Sequence, residues 1–149
     1  MNNNEVITIL DGLINTCRRG QEGFRNAAEN IQNSEFRRLF NIFSQQRAQF
    51  ISELKTEVHR LGGDPGTEAE GPAGLPGNTL LFRTAASKAA VRDEASIIGE
   101  CQREEEAAVN AYQEALKADL PLDVQYVVKR QYMDIKDAYD RIRILQRAA

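Results

Sequence analysis

The residues of this chain that could do chemistry are helix carboxylates. Glu22, Glu53, Glu104, Glu105, Asp134 and Asp137 all stand in segments of helical periodicity. Several such groups converging on one point would bind a hard cation, so a carboxylate site for iron or manganese is one chemistry this set offers. Nucleophilic and acid–base schemes have less to build on. His59 is the only histidine, and no Ser-His-Asp or Cys-His arrangement can be assembled around it. It stands just before Gly62-Gly63, where a protonated imidazole suits the negative end of a helix dipole.

A second polar set lies on the inward stripes of the same helices. Arg47, Glu105 and Gln131 occupy apolar-stripe positions, Glu104 stands at the edge of one, and Gln21 flanks Gly20. The expected arrangement is a buried polar cluster in which Arg47 pairs with Glu105 or Glu104, because an unpaired charge there would cost several kcal/mol. Gly20 leaves room for the long arginine. A fixed guanidinium opposes a metal cation at close range and suits an anion. A small-anion carrier anchored by Arg47 is therefore a third reading, and it predicts a cavity beside Gly20.

Four long helices must position these groups. Helix A is expected over about residues 4–31, with Val6, Leu10, Leu13, Cys17, Gly20 and Phe24 among its steps of three and four. Asn33 and Ser34 interrupt it, and Ser34 is the predicted cap of the next helix. Helix B runs over about residues 34–61, with Phe36, Phe40, Phe43, Arg47, Phe50 and Leu54 inward, and stops at Gly62-Gly63-Asp64-Pro65. Residues 62–93 are a connection too long for a hairpin, rich in glycine and proline to Gly77 and helix-permissive from about Asn78 to Val91. Helix C spans about residues 94–118 and helix D about residues 122–146, divided by Asp119-Leu120-Pro121. Residues 1–149 then form one all-α domain, an antiparallel four-helix bundle of two helical hairpins joined by a long crossover containing a short helix. That is the connectivity of ferritin-like bundles. The alternative is a simple up-down-up-down order with the same residues as a slack loop.

Composition narrows the partners. With 149 residues, 28% of them charged, and a net charge of −3, the chain has globular composition and no broad pull toward nucleic acid or anionic lipid. Arg18-Arg19, Arg37-Arg38, Arg141, Arg143 and Arg147 have acidic neighbours, and no glycine-rich phosphate loop accompanies them. No signal peptide or membrane span is read at the N-terminus, and Cys17 and Cys101 are expected as reduced core residues, which gives a cytoplasmic setting. The run Glu104-Glu105-Glu106 reads as a mostly solvated face, because consecutive helix residues point about 100° apart. Tyr112, Tyr126, Tyr132 and Tyr139 read as packed rings with the hydroxyl at the surface or on one partner.

Several segments resemble a known family. Asn4-Glu5-Val6-Ile7, Gly23-Phe24-Arg25 with Ala27-Ala28-Glu29, Glu53-Leu54 through Arg60-Leu61-Gly62-Gly63-Asp64-Pro65, Cys101-Gln102-Arg103-Glu104-Glu105-Glu106-Ala107-Ala108-Val109, Tyr112-Gln113-Glu114-Ala115-Leu116, Arg130-Gln131-Tyr132 and Asp140-Arg141-Ile142-Arg143 together carry the likeness. It is similar, nearly end to end, to a bacterial family of ferritin-like four-helix-bundle proteins labelled as a domain of unknown function. The family pattern usually shows a tryptophan in the crossover helix, where this chain has Leu80-Leu81-Phe82, and often a histidine near Tyr139. The resemblance implies a fold and supplies no activity.

Ferritin-like proteins at large are known for iron storage and di-iron oxidation. Their metal site takes a glutamate from each of two helices and a Glu-x-x-His pair from each of the other two. Here Thr56 stands three residues before His59, and helix D has no histidine. Glu22, Glu104 and Asp137 come out at one depth, but Glu22 lies opposite the core stripe, and Glu53 lies about 15 Å lower by the 1.5 Å rise. The leading expectation is a noncatalytic bundle with a structural, interaction or stress-associated role, no cofactor, and self-association in which Leu80, Leu81 and Phe82 are covered. The alternative is a metal-binding oxidase or storage protein with a non-standard iron or manganese site built from the carboxylates above.

Overall fold

A computed structural model describes residues 1–64 and 93–148. Among those residues four helices occur: α1 (Asn3–Asn30), α2 (Ser34–Arg60), α3 (Glu94–Leu116) and α4 (Leu122–Ala148). Each begins and ends within about two residues of the position its periodicity predicts. The starts of α1, α2 and α3 are set by side-chain caps. Asn2 and Glu5 form a reciprocal capping box, with the Glu5 N–H donating to Asn2 Oδ1 at 2.9 Å and the Asn2 N–H to Glu5 Oε1 at 3.1 Å. Asp93 Oδ1 accepts from the Ser96 N–H at 2.7 Å. The α2 cap differs from expectation: Asn33 accepts from the N–H groups of Glu35 and Phe36, and Ser34 is the first helical residue. An asparagine side chain reaches those amides as well as a serine does, and the chain takes it one residue earlier.

The stop of α2 is a Schellman motif. The Gly63 N–H donates to Val58 O and the Gly62 N–H to His59 O, both at 3.0 Å. Gly62 has φ +91°, and a Cβ on Gly63 would come within 2.8 Å of Val58 Cγ1. Both glycines are thus required by geometry.

Helix directions follow from what shares a core. Val6 at the start of α1 clusters with Val58, Ala115 and Val124, and Ile31 beyond its end clusters with Phe40, Ile97 and Ile142. So α1 and α4 run one way, and α2 and α3 run the other. Packing along α1–α2, α3–α4, α1–α3 and α2–α4 makes every side of the square antiparallel and puts α2 and α3 on a diagonal. Asp64 and Asp93 therefore lie at opposite ends of a bundle roughly 40 Å long, from 27 residues in α2 at 1.5 Å each. The crossover order holds, and the up-down-up-down alternative is excluded. The short crossover helix and Leu80, Leu81 and Phe82 fall outside the described residues. No helix among the described residues is long and apolar enough to cross a membrane.

Candidate functional site

The inward stripes bury what the spacing predicts, and that includes their polar members. Arg47 and Gln131 are fully buried, and Glu105 is 1% exposed. Arg47 and Glu105 lie where the two apolar clusters meet, and Gln131 lies inside the cluster that holds Val128 and Ile135, so the core is hydrocarbon toward each end and polar nearer the middle.

Arg47 on α2 reaches across to Glu105 on α3 as a two-pronged ion pair. Its Nη1 donates to Oε1 at 2.7 Å, and its Nη2 donates to Oε2. Planar guanidinium against planar carboxylate is the geometry in which a buried pair best recovers its lost hydration. The guanidinium carbon also sits 5.2 Å from the centre of the Phe24 ring. A Cβ on Gly20 would meet Arg47 Nη1 at 3.0 Å, so α1 can come this close only because that position has no side chain. The space beside Gly20 is filled by the arginine itself, which removes the cavity a small-anion carrier would need there. Burial works against the charge on Arg47, and Glu105 more than offsets it, leaving its ionisation above the ordinary arginine value. Burial likewise pushes the Glu105 carboxyl up against the pull of Arg47. Arg47 Nε–H is buried without an acceptor among the described residues, so the pairing is incomplete by one donor.

A hydrogen-bonded chain runs beside this pair. The Tyr112 hydroxyl donates to Gln131 Oε1 at 2.7 Å and lies 3.2 Å from Cys17 Sγ. With its one hydrogen used on Gln131, Tyr112 accepts from the Cys17 thiol. Gln131 Nε2 donates to Glu53 Oε1 at 2.9 Å and to the Phe50 carbonyl at 3.3 Å. Arg130 Nη2 closes the chain at the surface, 2.9 Å from the same Glu53 oxygen. Burial raises Cys17 from 9.0 to about 11, so it is a thiol at neutral pH. Burial and the neighbouring Cys17 push Tyr112 well above the usual tyrosine value. Glu53 goes the other way: partial burial opposes its charge, but the hydrogen bonds from Gln131 and Arg130 hold it below the ordinary carboxylate value.

The ferritin-like fold implies a metal at mid-bundle, and these residues do not fit one. A guanidinium occupies the middle of the bundle, Glu105 spends both oxygens on it, and Glu53 spends Oε1 on Gln131 and Arg130, with Oε2 3.5 Å from Gln49 Nε2. Among the described residues no three His, Cys, Asp or Glu side chains converge in a way that could hold an ion. The other carboxylates of the candidate set are elsewhere. Glu22 is half-buried on α1, Asp134 is exposed, and Asp137 is exposed and pairs with Arg141 at 3.0 Å.

Two members of the expected polar cluster need correction. Glu104 is exposed and outside it, because the 100° step from Glu105 turns it to solvent. Gln21 is half-buried, and its carbonyl, accepting from Ser44 Oγ at 2.9 Å, ties α1 to α2. The residues that sequence reasoning missed are Tyr112 and Cys17, which it placed inward only as packing groups. Their signal was that each stands on the inward stripe of its own helix, as Gln131 does on α4, and Gln131 is a side chain that cannot be buried without partners.

A family model described as "Domain of unknown function (DUF2383)" matches residues 5–118. No curated protein matches the chain. Among solved structures it is similar to a two-domain protein from Anabaena variabilis ATCC 29413 that contains DJ-1/ThiJ/PfpI-like and ferritin-like domains. The likeness has a TM-score of 0.78 at 15% identity, over 99% of this chain and 37% of that one. At such identity it shows the fold, a ferritin-like four-helix bundle, and this chain spans little more than a third of the neighbour's length.

Proposed function

The chain belongs to the family described as a domain of unknown function (DUF2383), and on that premise we propose that it is a noncatalytic ferritin-like bundle with a structural, interaction or stress-associated role. The observation that carries this reading is the two-pronged Arg47–Glu105 pair at the level where a ferritin-like metal site would need free carboxylates. The hydrogen-bonded chain from Cys17 to Glu53 supports it, since every polar side chain in that chain already has a partner. A reducing, cytoplasmic setting goes with two buried thiols, Cys17 and Cys101. In the Anabaena protein a ferritin-like domain shares a chain with a DJ-1/ThiJ/PfpI-like domain, which supports reading such a bundle as a module that works beside another protein.

The test is elemental analysis of protein purified from iron-, manganese- and zinc-supplemented cells, with an anaerobic ferrous titration alongside. The reading expects metal at background. Stoichiometric metal that disappears in a Glu53→Gln, Glu105→Gln double variant, folded by circular dichroism, would replace it with the metal-binding alternative.

A further inference from the structure

The geometry points to the outer face of α4 as a self-association surface that pairs two copies of this chain antiparallel about Met133. Leu122, Tyr126, Met133 and Ile144 are 83%, 69%, 66% and 63% exposed, and they account for most of the large apolar side chains that the described residues leave in water. Single exposed apolar side chains are ordinary, but these are aligned. At 100° per residue the four fall within about 40° of arc, one stripe along most of the helix.

The spacing along the stripe says what covers it. In an antiparallel pair with a two-fold axis at Met133, each residue faces the one equally far on the other side of 133. Met133 then meets Met133 of the second copy, and Leu122 meets Ile144 of the second copy. Tyr126 meets Asp140 there, a hydroxyl against a carboxylate. Lys129 meets Asp137. On one flank, Arg130 comes beside Asp137 of the second copy and Asp123 beside Arg141. Two contacts are unfavourable: Arg130 stands level with Lys136 of the second copy, and Lys129 also passes that Lys136, which its own Asp140 partly neutralises at 3.7 Å.

A parallel pair would instead set Lys129 on Lys129 and Asp137 on Asp137, so charge selects the antiparallel form. The match is self-complementary, as a two-fold interface requires. Antiparallel helices also align their dipoles favourably. The intrahelical pairs Arg141–Asp137 and Lys136–Asp140 are exposed and hold these side chains only weakly, so they can be shared across the axis. The interface deepens the interaction role proposed above, and it stands whether or not the core binds metal. Metal analysis and the experiment below therefore fail independently.

Sedimentation of the full chain from about 1 µM to several hundred µM tests it, because a single-helix seam is at the small end of interface sizes. The mass should rise from 16.7 kDa toward twice that value. Met133→Glu, which brings two carboxylates together at the axis, should weaken association about tenfold or more, with helicity unchanged. Lys129→Glu should weaken it as well, and Lys129→Glu with Asp137→Lys should restore it. A monomer at every concentration, a dimer indifferent to Met133→Glu, or a charge swap that fails to restore association would each overturn the proposal.

Discussion

Where α2 closes, Leu10, Leu54, Val58 and Val128 fill the core with hydrocarbon; nearer the middle, the same stripes present Arg47, Glu105 and Gln131. Both regions are buried to the same degree, and they hold the bundle differently. Hydrocarbon is non-directional and tolerates a neighbouring register at modest cost. A two-pronged ion pair has one geometry, so the middle of the bundle fixes the depth at which α2 meets α3, while the ends supply most of the stabilisation.

That difference predicts opposite responses to paired changes. Arg47→Leu alone leaves Glu105 charged and buried, and should cost about 3–5 kcal/mol in urea unfolding. Adding Glu105→Leu should return most of it, because two hydrocarbon chains need no partner and the orphan Arg47 Nε–H is gone as well. A double variant as weak as the single would place the pair's value in attraction rather than in avoided burial. At the end cluster Leu54→Ala should cost about 3 kcal/mol by cavity formation, and no second deletion there should rescue it.

The middle region should also carry an alkaline sensitivity that the ends lack. Cys17 ionises near 11 folded against 9.0 as the ordinary value, so its contribution is fully present below pH 9 and is lost as pH rises toward 11. Two units correspond to about 2.7 kcal/mol at most. Cys17→Ser, which keeps a donor to Tyr112 and does not titrate in this range, should flatten unfolding free energy between pH 9 and 10 and reduce its fall above pH 10, where the raised Tyr112 hydroxyl still contributes. An unchanged profile would move the sensitivity to another group.

The smallest effect separates two helical glycines. Gly12 has nothing within 4 Å of a built Cβ and is exposed, so Gly12→Ala should stabilise by roughly 0.5–1 kcal/mol. Gly20→Ala should lose that gain, because its methyl would press on Arg47 Nη1 where Glu105 holds it. Equal thermal midpoints for the two variants would mean the arginine yields freely.

The crossover is read from the length of the 62–93 connection, whereas periodicity was enough to give the helices and their inward faces, since a stripe at steps of three and four records what each helix buries. It placed Arg47, Glu105 and Gln131 inward for the same reason. What it could not give was axial register between helices. Glu53 read as a candidate metal ligand because its position beside Leu54 is visible in one helix, whereas its engagement by Arg130 and Gln131 depends on how α2 and α4 slide past each other. Glu104 was assigned to the cluster by the same uncertainty, one residue and 100° from the true partner. Tyr112 and Cys17 looked apolar by type, and their hydrogen bonds exist only across helices.

On the reading proposed above, the mid-bundle residues hold this fold together in place of binding a metal. Urea unfolding in chelator and in millimolar manganese, under identical buffer and ionic strength, tests it most directly, since an ion that binds only the folded state must raise its stability. The account predicts coincident curves. A rise of about 2.7 kcal/mol, the value expected at a hundredfold excess over the dissociation constant and absent in Glu105→Gln, would contradict it.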